Sequence, residues 1–195
     1  MLEFEYCDIS DMQYNGESIL SAHFLQRFNE YKQEKDKLRV FVSYQILKKM
    51  LAEKNVELDK LKIITNNNKP EFVIEENIGL HFNISHSGNI VAVALCDCPV
   101  GIDVQIEKTP NIKLCEMYFG KTETNKILKS KNAKLAYAKH WADYESLIKL
   151  INNEEELKNP KLKLNKVSKT LKDKQKNNYA LCIKYLTRKW KCKKI

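Results

Sequence analysis

Asp103 and Gln105 stand two residues apart in Val100-Gly101-Ile102-Asp103-Val104-Gln105, and Glu145 and Lys149 stand four apart further on. Each spacing has a chemical meaning. On a strand, residues two apart share a face and lie roughly 6–7 Å apart along the chain, so one cation can sit between their oxygen atoms. On a helix, residues four apart share a face, so a carboxylate and an ammonium can be offered together to a phosphorylated ligand. The plainer reading of Glu145 and Lys149 is an intrahelical ion pair worth ~0.2–0.5 kcal/mol. A second polar concentration, His81-Phe82-Asn83-Ile84-Ser85-His86-Ser87-Gly88, lies just upstream of Asp103. Gly101 adds no side chain, which would let a ligand approach the backbone there.

These residues need elements to hold them. Phe82 and Ile84 alternate with polar neighbours, the period of a half-buried strand. Ser87-Gly88-Asn89 is turn chemistry. Ile90 to Leu95 is a continuous apolar run of strand length. Cys98-Pro99 breaks it, and Val100, Ile102, Val104 and Ile106 then mark one face of the next strand. A helix is expected from about Asn132 to Ile151, with Leu135, Ala138, Trp141, Leu147 and Ile148 on its apolar positions. Upstream, Leu2 to Tyr6 alternates as a strand. Ser18 is placed to cap a helix through Leu20, Phe24 and Phe28, and Asp36 to cap a core helix carrying Val40, Tyr44, Leu47 and Leu51. That cap puts Arg39 in the helix's first turn. Leu61–Ile64 and Phe72–Ile74 read as short strands flanking an Asn-rich loop at 66–70. Thr122 is a plausible cap after Tyr118-Phe119-Gly120. Residues 152–160 form an acidic connector, and two strands follow, at 161–164 and 179–185.

The chain has 195 residues, 43% hydrophobic and 30% charged, the balance of a globular protein long enough for a sizeable core. No apolar run reaches the ~18–20 residues of a membrane span. The acidic N-terminus lacks the basic-then-apolar order of an export signal, so a cytoplasmic protein with six reduced cysteines is expected. Cys96 and Cys98 lack a zinc-site spacing. The net charge of +9 is concentrated at the end. Residues 161–195 hold twelve lysines and one arginine against the single acid Asp173. A solvated lysine surface and a polyanionic or acidic partner both fit that asymmetry.

Lys69-Pro70, Phe82-Asn83-Ile84-Ser85-His86-Ser87, Val100-Gly101-Ile102-Asp103-Val104, Phe119-Gly120-Lys121-Thr122-Glu123 and Trp141-x-x-x-Glu145-Ser146-x-x-Lys149 resemble, in order and spacing, the motifs of the Sfp-type 4′-phosphopantetheinyl transferase superfamily. They run from about Asp36 to Lys149, three-fifths of the chain. The resemblance implies an α+β fold of two similar α/β lobes related by a pseudo-twofold. Each lobe is a small, mostly antiparallel sheet packed with a long helix, with residues 1–105 and 106–195 flanking the active-site cleft. It implies transfer of the 4′-phosphopantetheine arm of coenzyme A to a serine of an apo acyl or peptidyl carrier protein, with Mg²⁺ as cofactor and 3′,5′-ADP as by-product. Carried over residue by residue, Asp103, Gln105 and Glu145 would hold the metal. Asp103, Glu145 and Lys149 would be catalytic, with Glu145 taking the serine proton and Lys149 stabilising the diphosphate. Arg39, Lys69, Ser85 and His86 would bind coenzyme A, with Arg39 and His86 on its 3′-phosphate. Asn83 would tie the strand end to its turn. Gln105 stands where the family often has Glu, and Tyr144 where it usually has Lys. A monomer without nucleic-acid or membrane partners is expected. Two alternatives stay open: a relative that binds coenzyme A or carrier protein without turnover, and a basic nucleic-acid-binding protein resting on residues 161–195.

Overall fold

The run Ile90–Cys96 contains no polar side chain, so a strand made from it must be covered on both faces. The computed structural model, which describes residues 1–14, 20–66, 69–73, 78–151 and 162–188, covers it so: all seven residues are buried. In chain order the elements are β1 (Leu2–Asp8), α1 (Ala22–Glu30), α2 (Glu34–Ala52), a short 3₁₀ turn (Leu58–Lys60), β2 (Ile63–Asn66), β3 (Lys69–Phe72), β4 (His81–Ser87), β5 (Ile90–Cys96), β6 (Val100–Ile106), α3 (Ile112–Lys129), α4 (Ala133–Leu150), β7 (Leu162–Lys172) and β8 (Asn178–Arg188). The class is α+β, with four α-helices among the described residues and antiparallel sheets ordered β1-β5-β4, β2-β3 and β6-β8-β7.

Alternation along β5 assigns its two faces. Val91, Val93 and Leu95 join Phe24 and Phe28 of α1 and Val42, Leu47 and Met50 of α2 in one core. Ile90, Ala92, Ala94 and Cys96 face the second sheet, against Val100, Ile102 and Val104 of β6 and Tyr179, Leu181 and Ile183 of β8. On the far side, Ala138 and Ala142 of α4 pack on Ala180 and Cys182 of β8. The layers therefore run helices, sheet, sheet, helix. Fully burying one large aliphatic side chain is worth roughly 1.5–3 kcal/mol, so β5, packed on both faces, anchors the order of the stack.

The two three-stranded sheets are also joined by hydrogen bonds. β6 pairs with β8 along one edge, leaving the other edge's amides in need of acceptors. β4 supplies them from side chains two residues apart: Ile102 N donates to Asn83 Oδ1 (2.9 Å), Val104 N to Ser85 Oγ (3.2 Å) and Ile106 N to Ser87 Oγ (3.0 Å). Asn83 thus ties one sheet to the other and not a strand end to its turn. Because β6 belongs to the second sheet, a division of the chain after Gln105 would cut that sheet.

Several local expectations are corrected. Glu34 already begins α2, with Gln33 as its N-cap, so Asp36 sits inside the first turn and Arg39 in the second. There Asp36 accepts from Arg39 Nη1 at 2.7 Å instead of from backbone amides. Thr122 lies within α3, which starts behind Asn111 and kinks at Gly120 (φ 78°). Lys69 and Pro70 belong to β3 and not to a loop. α4 matches its expected span, with the Asn132 side chain accepting from Leu135 N. β7 and β8 each run 11 residues, longer than expected. Ser18, the connector at 152–160, Ile74 and the last seven residues lie outside the described residues.

Candidate active site

Asp103 is reached from three elements, and Gly101 sets how closely they meet. A Cβ built on Gly101 would lie 2.2 Å from Ser146 O and 2.6 Å from Leu150 N. The approaching backbone is therefore that of α4, not a ligand. This contact brings the helix face bearing Glu145 and Lys149 down onto β6. On the same face of the sheet, from the neighbouring strand, α4 is pinned by the buried Lys184 of β8, the register partner of Gly101, whose Nζ donates to Asp143 O (2.8 Å) and pairs with Asp143 Oδ2 (3.1 Å). Lys166 of β7 makes a further ion pair to Asp143.

The result is a compact knot. Asp103 is 3% exposed. Its Oδ1 accepts from Lys149 Nζ (2.6 Å) and from Ser85 Oγ (2.9 Å), and its Oδ2 from Gln105 Nε2 (2.9 Å). Lys149 Nζ also donates to Ser85 Oγ at 3.0 Å. Among the described residues Lys149 pairs with Asp103 and not with Glu145, so the intrahelical ion pair does not form. The charge of Lys149 instead crosses between elements, which makes it a structural and an electrostatic partner of Asp103.

Glu145 stands beside this knot. Burial raises its carboxyl above the ordinary value, the Asp103 charge raises it further, and Lys149 offsets part of the effect. A carboxyl raised in this way is a better proton acceptor once ionised than one in open water. Tyr144 turns elsewhere, into an aromatic cluster with Tyr118, Phe119 and Trp141.

The knot forms the floor of a cleft of about 240 Å³. Of the expected residues, Ser85, His86, Asp103 and Lys149 line it. Its other walls hold His23, Arg27 and Tyr31 from the α1 region, Ser43 of α2, Thr65 of β2 and Pro70 of β3. Lys69 pairs with Glu71 at 3.3 Å, and its neighbour Pro70 is the one that forms the wall. At the rim, His86 is exposed, yet the surrounding walls desolvate its ring. That desolvation, then the Arg39 and Lys149 charges, pulls the imidazole down to about 4. Arg39 is divided: Nη1 donates to Asp36, Nη2 donates to Gly88 O at 2.6 Å, and Nε is buried without a hydrogen-bond partner. A buried donor left unmade costs ~1–3 kcal/mol. Arg39 does not itself line the cleft; its charge reaches the rim through His86.

Asp103, Glu145 and the amide oxygen of Gln105 are hard oxygen donors, the kind that Mg²⁺ takes while keeping several waters. Gln105 presently offers Nε2 to Asp103, the sensible orientation beside an uncompensated carboxylate oxygen. A cation between them would favour the flipped amide, with Oε1 towards the ion. A different cluster, Cys96, Asp97 and Cys98, is the one group of three acid, Cys or His ligands lying within 4.8 Å of one another among the described residues. Its Asp97 is engaged by the N-terminal amine.

Sequence reasoning missed the side-chain ladder from Asn83, Ser85 and Ser87, although their period of two was a visible signal. It also had no register for His23 and Arg27, four apart on α1 and both on the cleft wall.

With this geometry, the sequence compares closely with known enzymes. It is 29% identical over 135 residues to the 4′-phosphopantetheinyl transferase Sfp of Bacillus subtilis strain 168, covering 68% of this chain and 60% of that protein. It is 30% identical over 137 residues to the 4′-phosphopantetheinyl transferase gsp of Aneurinibacillus migulanus, covering 69% and 56%. Over a shorter 86 residues it is 37% identical to the 4′-phosphopantetheinyl transferase psf-1 of Bacillus pumilus, covering 43% and 36%. The chain thus spans three-fifths or less of the length of these curated relatives. No family model matches it. By these similarities the chain belongs among the relatives of the Sfp-type 4′-phosphopantetheinyl transferases.

Proposed function

We propose that this chain transfers the 4′-phosphopantetheine group of coenzyme A to a serine hydroxyl of an apo acyl or peptidyl carrier protein, with Mg²⁺, releasing 3′,5′-ADP. The observation that carries the reading is the meeting of Asp103, Lys149 and Ser85 at the floor of one cleft with Glu145 beside them and His86 on its rim.

The reaction forms a bond from the serine oxygen to the β-phosphorus of coenzyme A and breaks that phosphorus's bond to the nucleotide's bridging oxygen. Phosphoryl transfer is accelerated chiefly by positioning and charge neutralisation. Glu145 accepts the serine proton. Lys149 turns from Asp103 towards the diphosphate and stabilises the charge that grows on the leaving oxygen. Arg39, with its spare Nε, and His86 receive the 3′-phosphate, and Ser85 lies between them and the floor. Lys69 serves the phosphates once released from Glu71. Asp103, Glu145 and Gln105 would hold Mg²⁺, which would supply positive charge to neutralise the diphosphate.

The same reading takes the two three-stranded sheets with their helices as two similar lobes around the cleft. β6 pairs with β8, so the boundary proposed at 105/106 is better set in the connection from β5 to β6. The enzyme would act as a cytoplasmic monomer.

The test is intact-mass spectrometry of an apo carrier protein incubated with this protein, coenzyme A and Mg²⁺, beside a Glu145→Gln control. A phosphopantetheine-sized gain lost in the control supports the proposal. Coenzyme A binding without any gain, across several carriers, would favour a non-catalytic binder instead. That second reading has one supporting observation: Gln105 neutralises nothing and occupies an oxygen of Asp103.

A further inference from the structure

The turn that joins β4 to β5, Gly88-Asn89, follows His86 at the end of β4 and supplies the Gly88 carbonyl that holds Arg39, yet it is not held by its own sheet alone. Asn89, at its end, has every polar group engaged. Its backbone N donates to Tyr179 Oη (3.1 Å) and its carbonyl accepts from Ile9 N (2.8 Å). Its Oδ1 accepts from Lys35 Nζ (2.7 Å), and its Nδ2 donates to Asp173 Oδ2 (3.1 Å) and Gln175 Oε1 (3.2 Å). Tyr179 Oη in turn donates to Asp173 Oδ2 at 2.8 Å. Asn177 completes the set with two donors, its N to Asp173 Oδ1 and its Nδ2 to Asp173 Oδ2, both at 2.9 Å. Tyr179, Asp173 and Asn89 are all buried.

Apart from those of Ile9 and Lys35, these bonds come from the turn between β7 and β8 and from Tyr179 at the start of β8, in the other three-stranded sheet. The reach across is long in sequence and tight in space. A Cβ on Gly88 would lie 2.5 Å from Tyr179 Oη, so the turn passes directly over the tyrosine and takes a φ of +55° to do so. The network therefore fixes where the Gly88 carbonyl points. Gly88 O is one of the two acceptors that orient the Arg39 guanidinium and leave its Nε aimed without a partner.

We propose that Tyr179 and Asp173 are positioning residues: from the far sheet they clamp the β4–β5 turn so that Arg39 and His86 are set in advance to receive the 3′-phosphate of coenzyme A. Preorganised donors bind an anion without the cost of ordering them at that moment. The inference rests on the coenzyme A reading given above. It goes beyond that reading because neither residue touches the ligand, and neither lies in a motif that carries the family resemblance.

The test compares coenzyme A with 3′-dephospho-coenzyme A, which differ only in the group the turn would bind. Affinities are measured by calorimetry for the whole protein and for Tyr179→Phe, which keeps the ring and removes both hydrogen bonds. The clamp predicts that the native protein prefers coenzyme A, and that Tyr179→Phe loses about tenfold of that affinity, the equivalent of one good hydrogen bond, with dephospho-coenzyme A unchanged. A merely structural role would weaken both ligands alike. Asn177→Ala, exposed to milder loss, should move the same preference in the same direction by a smaller factor, and it serves if Tyr179→Phe does not fold. An unchanged preference in a folded variant overturns the clamp and leaves the proposed activity standing. A native protein that binds neither ligand overturns the coenzyme A reading, and the clamp's role with it.

Discussion

The floor and the rim of the cleft are built on opposite electrostatic plans. At the floor, Asp103 has both oxygens occupied by Lys149, Ser85 and Gln105, so the site is neutralised from within. At the rim, Arg39 keeps a buried Nε without a hydrogen-bond partner, and desolvation, then the neighbouring cations, hold His86 uncharged. A satisfied site must be opened by what enters it, whereas an unsatisfied one is completed by it. Under the proposed function, the rim would receive an anion as it stands, whereas the floor would have to be rearranged by a cation and a diphosphate before it could do chemistry. Binding and turnover should therefore come apart under mutation.

The largest separation is expected from Asp103→Asn. Without the carboxylate charge Lys149 loses its ion partner and the proposed metal site its anchor. Transfer should fall about 10³-fold, within the range for removing a key electrostatic or acid–base group, while coenzyme A affinity moves only a few-fold because the rim is untouched. Single-turnover rates beside calorimetric affinities check this. Equal losses in both would show that floor and rim are one site. Gly101→Ala comes next. Its Cβ meets backbone atoms that cannot swing aside, Ser146 O at 2.2 Å and Leu150 N at 2.6 Å. Forcing α4 off β6 should cost ~1–3 kcal/mol of stability, as overpacking does. It should also cost roughly 10²-fold in turnover, as misplacement by about an ångström can. Urea melts and rates on the same sample test both parts.

What the sequence revealed follows from how local each signal was. β4, β5, β6 and α4 were legible because each is set by periodicity within its own residues, and the meeting of Asp103, Glu145 and Lys149 was legible because motif spacing placed them together. The side-chain ladder was not, since knowing that the β6 edge lacks a backbone partner requires knowing that β8, some eighty residues on, takes the other edge. Polar residues every second position look like a solvent face until a second sheet arrives. The Asn89, Asp173 and Tyr179 clamp hid for the same reason. Gly101 carried a visible signal, close approach, but nothing in the sequence said that the approaching group was a helix. Asp36 misled because Ser, Thr, Asp and Asn favour helix starts, while here Glu34 had already begun the helix and Asp36 was drawn to Arg39.

Gln105→Glu sharpens the floor alone. A third carboxylate should lower the Mg²⁺ concentration for half-maximal transfer by about tenfold, a scale typical of changes around a metal site, without altering coenzyme A affinity at the rim. Without metal, the same change sets a like charge beside Asp103, so the variant should melt earlier than the native protein and recover when Mg²⁺ is added. A melt insensitive to Mg²⁺ in both proteins would remove the metal from this floor.

The smallest effect belongs to the rim and is read through pH. His86 has its imidazole held down to about 4 by desolvation, Arg39 and Lys149, with Asp36 opposing them. An unfolded chain binds that proton near pH 6.5. Between these values the unfolded state carries more protons than the folded one, so stability rises with pH across the window and is lost as pH falls towards 4. Urea unfolding at pH 6.5, 5.5 and 4.5 should show this loss, and His86→Gln should show a shallower one, the other titrating groups being common to both. Saturating coenzyme A should shrink the difference between the two proteins, because a phosphate beside the ring makes its protonated form acceptable in the folded state. If the slopes of native and variant proteins coincide without ligand, desolvation and the cations do not hold His86 down, and the rim is no more poised for an anion than the floor.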